Sequence, residues 1–273
     1  MISVIILTRN EEKDLPKCLE SLRWCNDLHL VDSGSSDQTI NIARKFGAQI
    51  YEHPFASFGA QRNWSLDHCN IKHPWILFLD ADEVASEEFV RDMTRAVVET
   101  PAATAGFYCC WKFFSEDRWL QRCDSFPKWQ FRLMRKGLAR FTDFGHGQKE
   151  AEVKGPIEYL RTPYDHYGLS KGIGPWLDRH NRYATLEAAA RLDAPIIWRN
   201  VFSSHGSKRN QALKPIVSRL PGWPLLRFFM TYIFCLGFLE GRPGFIYCAN
   251  LAFYEFLIRQ KMREEKARRS LEK

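Results

Sequence analysis

No two cysteines in this 273-residue chain are spaced C-x-x-C, although it has eight, so neither a zinc knuckle nor a dithiol redox motif is signalled. Cys18, Cys25, Cys69, Cys109, Cys110, Cys123, Cys235 and Cys248 are scattered, often beside apolar residues. They read as small buried hydrophobes in a reducing compartment. Neither G-x-G-x-x-G nor G-x-x-x-x-G-K followed by Ser or Thr occurs, which weighs against dinucleotide-binding and P-loop enzymes. No apolar run approaches the roughly 20 residues that cross a bilayer. The opening "MISVIILTRNEE" meets charge too soon to be a signal peptide, and the expected location is the cytoplasm. Internal repeats and low-complexity tracts are also missing.

Hydrophobic residues make up 45% of the chain, ample for a large core. The formal net charge of +7 is unevenly spread: residues 199–273 hold 14 basic and 5 acidic side chains, and the rest is nearly neutral. A basic tail of this kind faces nucleic acid, anionic lipid or solvent.

Strand and helix signals alternate through the first hundred residues. "SVIILT", "LHLVD", "AQIYEH" and "WILFL" read as strands, the last buried on both faces because it does not alternate with polar residues. Helices follow the first three. Asp14 is the expected N-cap of the first, Ser36 or Asp37 of the second, and Gly47 the stop of the second. "AQRNWSLDHC" opens the third. This order predicts an α/β fold with a doubly wound, parallel-centred sheet. From about 105 to 165 aromatic-rich segments show no clean period and read as mixed strands and loops. A further helix is expected over roughly 176–192. Two charge-free runs, 228–239 and 243–254, flank "EGRPG", whose Pro and Gly are expected to turn the chain into a helical hairpin lying in one membrane leaflet beside basic residues. The expected domains are 1–195, catalytic, and 196–273, membrane-associating.

In an open α/β sheet, ligands bind at the carboxyl ends of the strands. Four polar clusters fall there: "TRNEE" with Thr8, Asn10 and Glu11, "DSGSSD" with Asp32, "AQRN" with Arg62, and "DADE" with Asp80 and Asp82. Asp32 suits a nucleobase N–H or ribose hydroxyl, with Glu11 sharing the task. Arg62 offers a fork to phosphate or to a neighbouring carboxylate. Asp80 and Asp82 are hard oxygen ligands that suit Mg²⁺ or Mn²⁺ bridging a diphosphate.

"SVIILTRNEE", "VDSGSSDQT", "RNWSL" and "WILFLDADE", in this order and spacing, resemble the GT-A nucleotide-sugar domain of family 2 glycosyltransferases. The resemblance covers about 1–100, and "FRLMRK", "FGHGQKE" and "DHYG" extend it to about 168. Beyond that, "WLDRHNRYATLEA" and the apolar segments are similar to bacterial members that build lipopolysaccharide core or surface polysaccharide. The resemblance implies a metal-dependent, inverting transfer from a nucleoside-diphosphate sugar, commonly UDP-linked, to a lipid-linked saccharide at the cytoplasmic face of a bacterial inner membrane. Asp82 would be the direct metal ligand, Asp80 would contact ribose or a metal-bound water, and His166 would complete the metal shell. Glu150 best matches the family's general base, although Gln148-Lys149 stand where the family has V-H; His146 and Asp143 are rivals. Asp117 of "SED" comes too early for the base of a processive synthase and reads as a surface loop. The absence of Q-x-x-R-W points to addition of a single sugar.

Trp176, His180, Tyr183 and Glu187 share a helix face, which suits either core or a wall of the acceptor site. Trp111, Trp119 and Trp129 suit sugar stacking or buried packing. Two other functions compete. A nucleotidyltransferase would need a glycine- and arginine-rich phosphate loop that "LTRNEE" lacks. A nucleic-acid-binding arm would use the basic tail, but its companions are mostly aliphatic, which single strands do not require.

Overall fold

The computed structural model describes residues 1–144, 147–194, 198–202, 209, 212–213, 216–217 and 219–271. The chain divides into two compact units, Met1–Gln121 with Phe126–Lys171, and Arg122–Ser125 with Gly172–Lys273.

The first unit opens as the pattern of apolar runs predicts: β1 (Ile2–Thr8), α1 (Leu15–Glu20), β2 (Leu28–Asp32), α2 (Thr39–Lys45), β3 (Gln49–Glu52), α3 (Phe58–His68) and β4 (Trp75–Asp80). Strand β1 pairs in parallel with both β2 and β4, and β2 with β3. The registers set Thr8 opposite Asp32 and Leu7 opposite Asp80, so the polar ends of these strands gather at one edge. Gly47, at φ +75°, ends α2 in the left-handed conformation that a glycine adopts without cost. The N-cap of that helix is Gln38 and not Ser36 or Asp37, and its side chain makes no such cap; Asp37, one residue earlier, accepts from the Thr39 amide. Asp14 makes no such cap; its carboxylate instead accepts from the Ser170 hydroxyl.

After β4 come β5 (Glu83–Val84), α4 (Glu87–Glu99), β6 (Gly106–Ser115), β7 (Arg118–Trp119), β8 (Trp129–Arg135), β9 (Arg140–Phe144), β10 (Gly147–Ala151) and β11 (Ile157–His166). Among the described residues the main sheet runs β3-β2-β1-β4-β8-β6-β11-β5, with β7 on β6, while β9 and β10 form a separate pair. Strand β8 is antiparallel to both its neighbours, β4 and β6. The irregular texture of 105–165 is therefore a set of strands, and bulges within the β6 pairings spoil any simple period. Alternation along β1 sends Val4 and Ile6 into a core with Leu15, Leu19, Phe89 and Met93, and Ile5 into a second core with Phe78, Phe131 and Phe141. Both faces of the central strands are thus covered, which is why "WILFL" carries no polar alternation.

The second unit is helical: α5 (Ile173–Asp193), α6 (Trp198–Val201), α7 (Trp223–Phe229), a π turn (Met230–Phe234), a 3₁₀ turn (Gly237–Glu240) and α8 (Gly241–Leu271). The expected domain boundary at 195/196 moves to Lys171/Gly172 because α5 belongs with α8. Ala184 and Ala188 pack on Ile258 and Met262, and Arg191 makes a two-pronged pair with Glu255. The bend also moves. "EGRPG" does not turn the chain but starts α8, with Pro243 in the first turn, where a proline is tolerated. The break falls at Cys235-Leu236, Leu236 having φ +59°, and the flanking segments meet at 70° rather than folding back as a hairpin. A Cβ on Gly244 would lie 2.4 Å from the Gly237 carbonyl oxygen, so the bend is built on glycine-to-backbone contact. No single described helix is long and apolar enough to cross a membrane, although Trp223–Phe234 and Gly237–Leu271 together have the length and composition.

Candidate active site

The loops after β1 and β2 are clasped to each other. Asp32 is buried, and its carboxylate accepts from the Thr8 hydroxyl, the Ser35 hydroxyl and the amides of Gly34 and Ser35. Those four bonds fill a carboxylate's acceptor sites. Asp32, expected to receive a nucleobase or ribose, is here the organiser of the loop, as is its partner Thr8. Asn10, at φ +56°, donates its amide to Ser35 Oγ and accepts the Ser36 amide on Oδ1. Glu11 pairs with Lys171 at 2.6 Å. Burial raises its carboxyl to about 7; Lys171 opposes that rise, and the charges of Asp82 and Asp14 add to it.

At the end of β4 two arginines meet Asp80. Arg132 reaches it with both terminal nitrogens, at 3.1 and 2.7 Å, and gives a third bond, 2.6 Å long, to Glu83. Glu83 returns a contact by accepting the Asp80 amide. Arg62 lies 3.5 Å from Asp80, with its guanidinium over the rings of Phe78 and Phe141. Arg62 therefore takes the carboxylate neighbour and not phosphate: it is only 1% exposed, and its Nε and Nη1 make no hydrogen bond among the described residues. Burial and the Arg132 charge pull its pKa down to about 10. Burial would raise Asp80, but Arg132 and Arg62 outweigh it and hold the carboxyl far below its usual range. Burial, joined by the charges of Asp80 and Asp82, pushes Glu83 up against the pull of Arg132.

Asp82 and His166 form the other half. Strand β11 sets His166 opposite Glu83 on β5, and His166 Nε2 stands 3.6 Å from an Asp82 oxygen. The Asp82 carbonyl accepts the Tyr167 amide, which fixes the turn. Burial would lower the imidazole pKa, but Asp82, Glu83 and Asp80 raise it.

The expected three-ligand metal set of Asp80, Asp82 and His166 is not assembled: among the described residues no three His, Cys, Asp or Glu side chains are placed to hold one ion. Asp80 is lost to the set because both its oxygens face Arg132. Asp82 and His166 remain; of the two the Asp82 carboxylate suits Mg²⁺ or Mn²⁺, the first of which is commonly held through one or two carboxylates with waters and substrate phosphates completing its shell.

The three base candidates separate. Glu150 on β10 accepts from the Tyr108 hydroxyl; burial raises that phenol, and the bond to Glu150 adds to the rise. Asp143 accepts the Gly59 amide at 2.9 Å and so caps the first turn of α3. His146 lies outside the described residues. Asp117, at φ +60°, sits in the two-residue turn between β6 and β7, as a surface loop requires. The stripe on α5 is core: Trp176 is buried, His180 stacks on it at 3.8 Å, and Glu187 binds Arg191. Trp111 packs near Tyr164 and His166, Trp119 against Phe126, and Trp129 on Tyr159 at 4.9 Å. The most consequential residue given no role from the sequence is Arg132, although "FRLMRK", which carries it, is among the segments of the family resemblance.

The sequence profile described as "Glycosyl transferase family 2" matches residues 3–148, more than half of the chain. The lipopolysaccharide core biosynthesis glycosyltransferase LpsC of Rhizobium meliloti is 26% identical, over 97% of this chain and 93% of that protein. An uncharacterized glycosyltransferase of Rickettsia bellii is 25% identical, over 96% and 86%. Among solved structures, residues 1–349 of S. aureus TarS in complex with UDP-GlcNAc align with a TM-score of 0.49 at 18% identity, over 98% of this chain and 92% of that one. With the strand-end cluster and the profile match in agreement, the chain belongs to the family 2 glycosyltransferases.

Proposed function

We propose that this glycosyltransferase moves one sugar from a nucleoside-diphosphate sugar, UDP-linked in the first instance, onto a lipid-linked saccharide acceptor of lipopolysaccharide or surface polysaccharide synthesis. The observation that carries the donor half is the pairing of Asp82 with His166 beside an Asp80 already neutralised by Arg132. Left unpaired, Asp80 would repel a diphosphate; the two arginines remove that penalty and leave Asp82 as the acid offered to a cation. Mg²⁺ or Mn²⁺ held by Asp82 and His166 would neutralise charge on the departing diphosphate. The clasped loops of Asn10 and Asp32 present a fixed rim for the nucleotide, so little ordering is left for binding to supply. Glu150 is the base proposed to take the acceptor hydroxyl proton, with Tyr108 orienting its carboxylate.

For the acceptor, support comes from similarity to LpsC along nearly the whole chain. Support for an anionic membrane surface at the cytoplasmic face of a bacterial inner membrane comes from the second unit, where Leu225, Phe229, Ile233 and Phe238 are exposed and Phe234 is 80% exposed, beside the basic tail. In this reading residues 172–273 form the membrane-associating part.

Calorimetric titration of UDP into the full chain with Mn²⁺, with EDTA, and into Asp82→Ala tests the donor half. Binding that needs Mn²⁺ and disappears in Asp82→Ala is the expected result. Binding to GDP or dTDP in place of UDP would correct the base, and no nucleotide binding at all would refute the proposal.

A further inference from the structure

The second unit holds a cavity of about 630 Å³ whose wall is cationic: Arg219, Arg259, Arg263, Lys266 and Arg269 all line it. That volume lies within the range of small-molecule sites, roughly 300–1,000 Å³. Four of the five come from α8 and fall at i, i+4, i+7 and i+10, one face of the helix. Leu192 on α5 and Met262 on α8 add an apolar lining.

The cations are of two kinds. Arg269 is fixed by Asp193 and Glu265, and Arg259 donates to the Leu220 carbonyl oxygen. Arg219, Arg263 and Lys266 make no ion pair among the described residues. Three positive charges thus face one cavity without a carboxylate to answer them, although the same helix supplies Glu265 to Arg268 and Arg269 close by. These three side chains are exposed, so water screens their mutual repulsion, and they stand open to an anion. Guanidinium forks and an ammonium together suit a phosphate of two or more negative charges, and the apolar lining suits hydrocarbon attached to it.

We propose that this cavity binds the phosphomonoester or diphosphate head of an amphiphile, with the phosphate among Arg219, Arg263 and Lys266 and the apolar part against Leu192 and Met262. The proposal does not rest on nucleotide binding by the first unit and stands or falls separately from it.

The test uses the full chain, flotation with phosphatidylcholine vesicles with and without phosphatidate, and calorimetric titration with inorganic pyrophosphate. Arg263 and Lys266 are exposed, so the double variant Arg263→Glu/Lys266→Glu leaves the core untouched; circular dichroism checks its helix content. Arg242→Glu, also exposed on α8 but outside the cavity, is the control for bulk charge. The expected result is phosphatidate-dependent flotation, displaced by pyrophosphate, weakened roughly thirtyfold in the double variant and far less in the control. Equal losses in the double variant and the control would reduce the effect to general surface charge and overturn the site. Tight pyrophosphate binding without phosphatidate-dependent flotation would overturn the amphiphile and assign a soluble phosphate. Flotation unaffected by pyrophosphate would place the lipid contact elsewhere and overturn the proposal.

Discussion

Arg132 holds both carboxylate oxygens of Asp80, at 3.1 and 2.7 Å, and the same guanidinium bonds the buried Glu83. The first aspartate of the D-x-D pair is therefore tied to the sheet through Arg132, while the second lies 3.6 Å from His166. Arg132→Met should destabilise the first unit by about 3–5 kcal/mol, because it strands Glu83 without a counter-charge. The double variant Arg132→Met/Glu83→Leu should lose markedly less. Urea unfolding of the single and double variants decides this; equal losses would mean that the cluster acts only through packing.

Glu11 gives the molecule a pH signature. Its folded pKa is raised from 4.5 to about 7, so the folded state binds the proton more tightly than the unfolded chain. Its favourable contribution is complete below about 4.5 and is lost as pH rises through about 7. Melting temperatures measured in EDTA should fall for the wild type relative to Glu11→Gln across that window. Parallel curves for the two proteins would show that Glu11 titrates normally.

Glu150→Gln should lower kcat by about 10²–10⁴-fold while leaving donor nucleotide affinity within a small factor. Asp143→Ala should instead cost about 0.5–2 kcal/mol of stability with little change in kcat, since Asp143 accepts the first-turn Gly59 amide of α3. Steady-state kinetics paired with UDP titration separates the two, and a reversed pattern would move the base to Asp143.

Gly244→Ala should destabilise the second unit by about 1–3 kcal/mol, because the added methyl meets the Gly237 backbone oxygen. Thermal unfolding followed by circular dichroism reads this directly. An unchanged melting curve would mean that the 70° bend relaxes at no cost.

The parallel half of the sheet was legible because each of β1, β2 and β4 is a short apolar run closed by polar turn residues, a local signal of strand and edge together. The loop cluster at those ends was legible for the same reason. What a line of residues does not display is partnership across distance: Arg132 lies 52 residues from Asp80, and "FRLMRK" marks the segment without naming the carboxylate it meets. Asp143 reads as a free acid until α3 is folded beneath it. The bend fell at Leu236 and not at "EGRPG" because proline at a helix start is as acceptable as proline in a turn, and packing between Gly237 and Gly244 decides between them.

The placement of β8 between β4 and β6 also sets an order of completion. Glu83 leaves the ribosome 49 residues ahead of the arginine that answers it. At that stage β1 to β4 and Arg62 have all been synthesised, yet the three carboxylates of Asp80, Asp82 and Glu83 are answered by that one arginine. Only when β8 threads antiparallel into the sheet is more of that charge answered, and His166 follows on β11. The acidic end of β4 thus gains its second arginine only once the strand that lies between β4 and β6 has been made.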